Sequence, residues 1–125
     1  MMSFIKSLFA PSPRLAPAEA VRMVGSGAAI IADVREADEI RATGKAGGAL
    51  HLPLSALPQA GDPKSGRFER KLKPALKGGL PVIVYCASGA RSEQAARMLR
   101  AKGFGTVHNL GGLRDWVAGG GTVQK

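Results

Sequence analysis

The run Leu80-Pro81-Val82-Ile83-Val84-Tyr85 is apolar, β-branched at its centre and free of charge, and it ends at the chain's one cysteine, Cys86. A run this short between turn signals reads as a strand covered on both faces, the condition of a parallel sheet. A second run, Ala28-Ala29-Ile30-Ile31-Ala32-Asp33-Val34-Arg35, has the same character and ends in charge. Parallel strands cannot be joined by hairpins; they need crossovers of about a dozen residues or more, usually helical. The chain supplies helical stretches. One is expected from Pro17, a good first helical residue, to the Gly25–Gly27 stop. Others are expected over Ala37 to Ala42, from Ser92 to Lys102 with Gly103 as C-cap, and around Trp116. Thr106 to Leu110 reads as another strand, Ala49 to Leu54 as a short one, and Phe68 to Leu72 as one helical turn. Strands alternating with helices define the α/β class.

The length of 125 residues suits one domain, expected over residues 14–120, with tails at 1–13 and 121–125. Hydrophobic residues make up 45% of the chain but aromatics only 5%, so the core must be aliphatic. Through Asp62 six Lys/Arg balance six Asp/Glu; from Pro63 onward twelve face three, which carries the whole net charge of +9. The densest basic stretch, Lys64 to Lys77, has Phe68 as its one aromatic and no nucleic-acid motif around it, so a solvated basic face is expected and no nucleic acid partner. If that stretch lies at the mouth of a site, it would steer anions toward it.

A single cysteine forms no internal disulfide, which points to a reducing, cytoplasmic setting. No stretch approaches the roughly 20 apolar residues of a membrane span. Phe4, Ile5, Leu8 and Phe9 could form a weak amphipathic turn in the N-terminal tail. His51 and His108 lack metal-ligand spacing to Cys86, so neither metal nor cofactor is expected.

Cys86 ends the clearest strand, and Ala87-Ser88-Gly89-Ala90-Arg91-Ser92 follow before the helix. In open α/β sheets ligands sit at the carboxyl ends of strands. A tight loop running into a helix N-terminus turns several amide N–H groups toward one point, a cradle for an anion. A thiolate held there has a lowered pKa, and Arg91 adds a permanent positive charge. A lone cysteine without such context is usually a small buried hydrophobe; strand end, small-residue loop, arginine and helix start together reverse that reading.

The stretch Val84 to Ser92 resembles the active-site loop of rhodanese sulfurtransferases, with the pattern C-x-x-G-x-R-S after a parallel strand. Asp33-Val34-Arg35-Glu36 resembles the family's D-V-R-E segment, and Asn109-Leu110-Gly111-Gly112 with Trp116 its closing N-L-x-G-G-x-x-x-W segment. The three occur in order across Leu15 to Gly119. The family's G-H-I-P-G-A turn is altered here to Gly44-Lys45-Ala46-Gly47-Gly48-Ala49.

The resemblance implies a five-stranded, mainly parallel sheet with helices on both faces. It implies sulfur transfer through a persulfide on Cys86, from a small anionic donor such as thiosulfate to a thiol or protein acceptor. The amides from Ala87 to Ser92 would hold the persulfide. Arg35 would attract the donor or pair locally, and Asp33 would support the site. Arg91 would bind the donor or anchor the loop to a carboxylate such as Glu36. Ser92 is expected as the helix N-cap, and Trp116 as a docking residue. Two other functions stay open. One is a non-catalytic interaction or redox-sensing module on the same scaffold. The other is a phosphatase or arsenate reductase of this fold, whose loops read C-x5-R where this chain has C-x4-R.

Overall fold

The computed structural model describes residues 11–125. The amphipathic turn expected at Phe4 to Phe9 lies outside them. Helix α1 spans Pro17–Gly25, β1 Ile30–Asp33, α2 Ala37–Thr43, β2 Lys45–Ala46 and β3 Leu50–His51. A short α3, Leu57–Ala60, and a 3-10 helix, Arg70–Ala75, lead to β4, Val82–Cys86. Helix α4, Ala90–Ala101, β5, Val107–Gly112, α5, Leu113–Ala118, and β6, Val123–Gln124, complete the chain.

The central sheet is parallel and has four strands in the order β3-β1-β4-β5, not five. Beside β5, where a further strand could have added, only Arg14 among the described residues makes a single parallel bridge, to Asn109. Pro11, Pro13 and Pro17 flank that bridge. A proline has no N–H to give a ladder, so these three positions cannot extend the pairing. The residues expected as a C-terminal tail form structure instead: β6 pairs antiparallel with β2 through Lys45–Gln124 and Ala46–Val123. The Trp116 indole N–H donates to the Thr122 carbonyl at 2.7 Å, and a Cβ on Gly121 would fall 2.2 Å from the Trp116 ring.

Alternation along the strands divides the core. Ile31, Ile83, Tyr85 and Leu110 pack with Ala20 of α1 and Trp116 of α5. Val34, Val82, Val84 and Cys86 pack with Leu57, Leu72, Ala95, Ala96 and Leu99 on the opposite face. Every residue of β4 is buried, as its unbroken apolar run requires in a sheet covered on both sides.

The parallel topology also fixes where the basic stretch goes. The chain leaves β3 at the carboxyl end of the sheet and must return to the amino end to begin β4. The Leu80 amide donates to the Pro74 carbonyl at 2.9 Å, and Leu76 bridges Phe104, just ahead of β5. The 3-10 helix with Arg70, Lys71 and Lys73 therefore lies at the amino end of β4, and Cys86 at the other. There Arg70, Lys73, Phe68, Pro63 and Leu76 line an open cavity of about 350 Å³. The condition under which these cations would steer a donor to Cys86 is not met.

Candidate active site

Four segments meet at the carboxyl end of β4. Cys86 is 1% exposed, its side chain among the aliphatic residues of one core face. Helix α4 begins at Ala90, two residues earlier than the sequence pattern indicated, with Gly89 at its N-cap and a φ of 111°. That left-handed backbone suits glycine. It turns the Gly89 amide back to the thiol, 3.0 Å from Cys86 Sγ.

Ser92 is then the third residue of α4 rather than its cap. It is buried, and its hydroxyl lies 3.3 Å from Cys86 Sγ and 2.7 Å from Asn109 Oδ1. Burial pushes the Cys86 thiol up. Hydrogen bonds from the Ser92 hydroxyl and from the amides of Ser92, Gly89 and Ser88 outweigh it, leaving the thiol below its ordinary value. Ala87, Ser88 and Ala90 are exposed and small, so they form the rim of the cradle.

The two arginines are engaged. Arg91 donates to both carboxylate oxygens of Glu39, at 2.6 and 2.8 Å, so its partner is Glu39 and not Glu36. The Arg91 pair pulls Glu39 down to about 2 against the opposing effect of burial. Glu36 instead accepts from the Ser55 hydroxyl at 2.8 Å. Arg35 is 4% exposed and faces inward. Its guanidinium donates to Asp33 at 2.6 Å, to the Thr43 hydroxyl at 2.9 Å and to the Gly44 carbonyl at 2.9 Å. Asp33 is fully buried and also accepts the Arg35 amide at 2.9 Å. Arg35 thus locks the ends of β1 and α2 together. His51 Nε2 lies 2.8 Å from the Arg35 carbonyl, a structural contact.

Sequence reading missed the back wall. Asn109 Nδ2 donates to the Gly89 carbonyl at 2.9 Å and to Glu93 at 3.2 Å, while its Oδ1 accepts the Gly111 amide at 3.0 Å. Beyond Val84 the β4–β5 register shifts, so that Tyr85 faces Gly111 and Cys86 faces Gly112. Gly112 presses against the loop; a Cβ there would fall 2.3 Å from the Ala87 carbonyl oxygen. Asp115 accepts the Gly112 amide at 2.8 Å. The signal was present in Asn109-Leu110-Gly111-Gly112, whose asparagine and second glycine both touch the cradle.

The rhodanese-like domain model matches residues 16–119. The chain belongs to the rhodanese-like domain family. A sulfurtransferase of Allochromatium vinosum is 36% identical over 110 residues, covering 87% of this chain and 83% of the relative. The human single-domain sulfurtransferase TSTD1 superposes with a TM-score of 0.64 at 28% identity, covering 86% of this chain and 96% of that one. A Rhodopseudomonas palustris structure, described as a protein of unknown function and possible tyrosine phosphatase, gives a TM-score of 0.78 at 26% identity, covering 98% and 92%. Two Bacillus subtilis relatives, each 34% identical, are longer: the chain spans 61% and 40% of their lengths. No helix among the described residues is long and apolar enough to cross a membrane.

Proposed function

We propose that the protein is a thiosulfate-type sulfurtransferase working by double displacement at Cys86, in a reducing, cytoplasmic setting. The Cys86 thiolate attacks the outer sulfur of thiosulfate. The sulfur–sulfur bond of the donor breaks, sulfite leaves with the electron pair, and Cys86 carries a persulfide anion. A thiophilic acceptor, a thiolate or cyanide, then takes the outer sulfur and returns the thiolate. No outside oxidant or reductant is needed. The step is covalent catalysis by a lowered-pKa nucleophile, with preorganised amides facing the charge.

The observation that carries this reading is the Gly89 amide donating to Cys86 Sγ at 3.0 Å, with the Ser92 hydroxyl in reach at 3.3 Å. The test is intact mass after incubation with thiosulfate. One added sulfur on the wild type and none on Cys86→Ser is the expected result. An unchanged mass for both would favour the non-catalytic scaffold. The description of the Rhodopseudomonas palustris relative brings phosphate ester hydrolysis forward as the rival. The loop, C-x4-R from Cys86 to Arg91 where phosphatases of this fold read C-x5-R, is one residue shorter, which speaks against it. Efficient hydrolysis of p-nitrophenyl phosphate would reverse that argument.

A further inference from the structure

The Ser92 hydroxyl has one hydrogen and two acceptors in reach, Asn109 Oδ1 at 2.7 Å and Cys86 Sγ at 3.3 Å. The Asn109 carboxamide cannot be turned over. Its Oδ1 meets the Gly111 amide, which only donates, and its Nδ2 meets the Gly89 carbonyl and the Glu93 carboxylate, which only accept. Oδ1 is therefore an acceptor, and Ser92 must donate to it at the shorter of the two contacts.

The thiol form satisfies this arrangement: S–H can point at Ser92 Oγ while Ser92 donates to Asn109. The thiolate does not. It has no hydrogen to give and needs the one that Asn109 holds. We infer that Asn109 is a positioning residue that competes with the Cys86 anion for the single Ser92 hydroxyl proton. Among the described charged groups around the loop, Arg91 is engaged with Glu39, Glu93 with Ser12 and Asn109, Asp115 with the Gly112 amide and Asp33 with Arg35, while the exposed Arg14 guanidinium stands beside Gly111. The hydroxyl is thus the adjustable donor in the cradle.

This inference rests on Cys86 being the nucleophile, and it gives the competition a use. Loading moves the negative charge one sulfur outward, away from Ser92, so the persulfide loses nothing when Asn109 keeps the proton. The empty thiolate does lose, and a less stabilised thiolate is the stronger nucleophile. Asn109 thereby favours the loaded form over the empty anion.

The experiment is a double-mutant cycle on the pH midpoint of Cys86 alkylation by iodoacetamide, using wild type, Asn109→Leu, Ser92→Ala and the double variant. Loosening of the loop by loss of the Gly89 clamp appears in both backgrounds and cancels. With Ser92 present, Asn109→Leu should place the midpoint lower than it does with Ser92→Ala, by roughly half a pH unit, about threefold in acidity. Equal shifts in the two backgrounds, or a coupling of opposite sign, would overturn the competition. Should Asn109→Leu fail to fold, Asn109→Ala runs the same cycle. Alkylation needs no sulfur donor. A failed cycle therefore strikes this inference alone, and an absent thiosulfate adduct strikes the proposed reaction alone.

Discussion

At the carboxyl end of the sheet the acidic side chains around Cys86 are engaged: Asp33 with Arg35, Glu39 with Arg91, Glu93 with Ser12, Asp115 with the Gly112 amide. At the amino end Arg70 and Lys73 stand one turn apart on a 3-10 helix, three residues per turn, and line a cavity with no carboxylate partner among the described residues. The pole that does the chemistry uses paired charges and fixed dipoles. The pole with the excess charge holds none of the cradle's groups. Net charge is thus a guide to solubility and encounter for this protein, and the cradle must be read from amides, hydroxyls and burial.

Removing the nucleophile should have the largest effect at the chemical pole. Cys86→Ser is expected to abolish sulfur loading and transfer while keeping the melting transition; residual turnover near wild type would remove Cys86 from the mechanism. Next comes the buried pair. Asp33→Ala leaves the Arg35 guanidinium uncompensated at 4% exposure, which should cost about 3–5 kcal/mol in urea unfolding. A loss under 1 kcal/mol would mean that water or another group replaces the aspartate.

Gly112→Ala drives a Cβ to within 2.3 Å of the Ala87 carbonyl. It should cost about 1–3 kcal/mol and reduce transfer more than Gly78→Ala does. At Gly78 a Cβ meets nothing within 4 Å, although its φ of 77° still carries strain. Equal losses of transfer at the two positions would show that backbone strain, not cradle shape, is at work.

The Arg91–Glu39 pair sets a pH limit. A carboxyl held lower in the folded state adds stability above its unfolded value, and that stability is lost as pH falls through the folded one. With Glu39 at about 2, the pair should persist in the folded protein at pH 4. Both side chains are about a third exposed, so Glu39→Gln should cost no more than ~1 kcal/mol. Its clearer signature is a displaced pH profile of Cys86 alkylation. No change there would mean that the pair only decorates the loop.

The smallest effect is expected at the basic pole. Replacing Arg70, Lys71 and Lys73 with Gln should leave kcat/KM for thiosulfate and its salt dependence nearly unchanged. Screening lengths of about 10 Å at 0.1 M salt separate the two ends of the sheet. A clearly flattened salt slope would show that the field of this pole reaches the cradle.

The strands and helices that carry local signals could be read in advance. The buried run 82–86, the helix after Cys86 and the short helix with Trp116 all follow from period and punctuation. So did the cysteine and its loop. What could not be read depended on contacts far apart in sequence. Glu39 and Glu36 are equally plausible partners for Arg91 until the path of α2 is known. Whether Arg35 attracts a donor or pairs locally stays open in the sequence, because its inward course, to Asp33 and the Gly44 carbonyl, is set by tertiary packing. Val123 and Gln124 carry no strand pattern of their own; the exposed edge of β2 recruits them. The position of the basic stretch was legible, since a parallel β3–β4 connection must cross to the amino end of the sheet. That argument needed the topology before the charge count.

The β2–β6 pairing reaches further than its two residue pairs suggest. A Cβ on Gly44 would lie 2.7 Å from Val123 Cγ1, and the Gly44 carbonyl receives the buried Arg35 guanidinium. Trimming the chain at Gly121, or fusing a rigid partner directly after Gln124, would therefore disturb a carbonyl on which an interior cation depends. Affinity tags and truncations planned at this end need a flexible spacer beyond Lys125, or they will change the buried ion pair while seeming to touch only the surface.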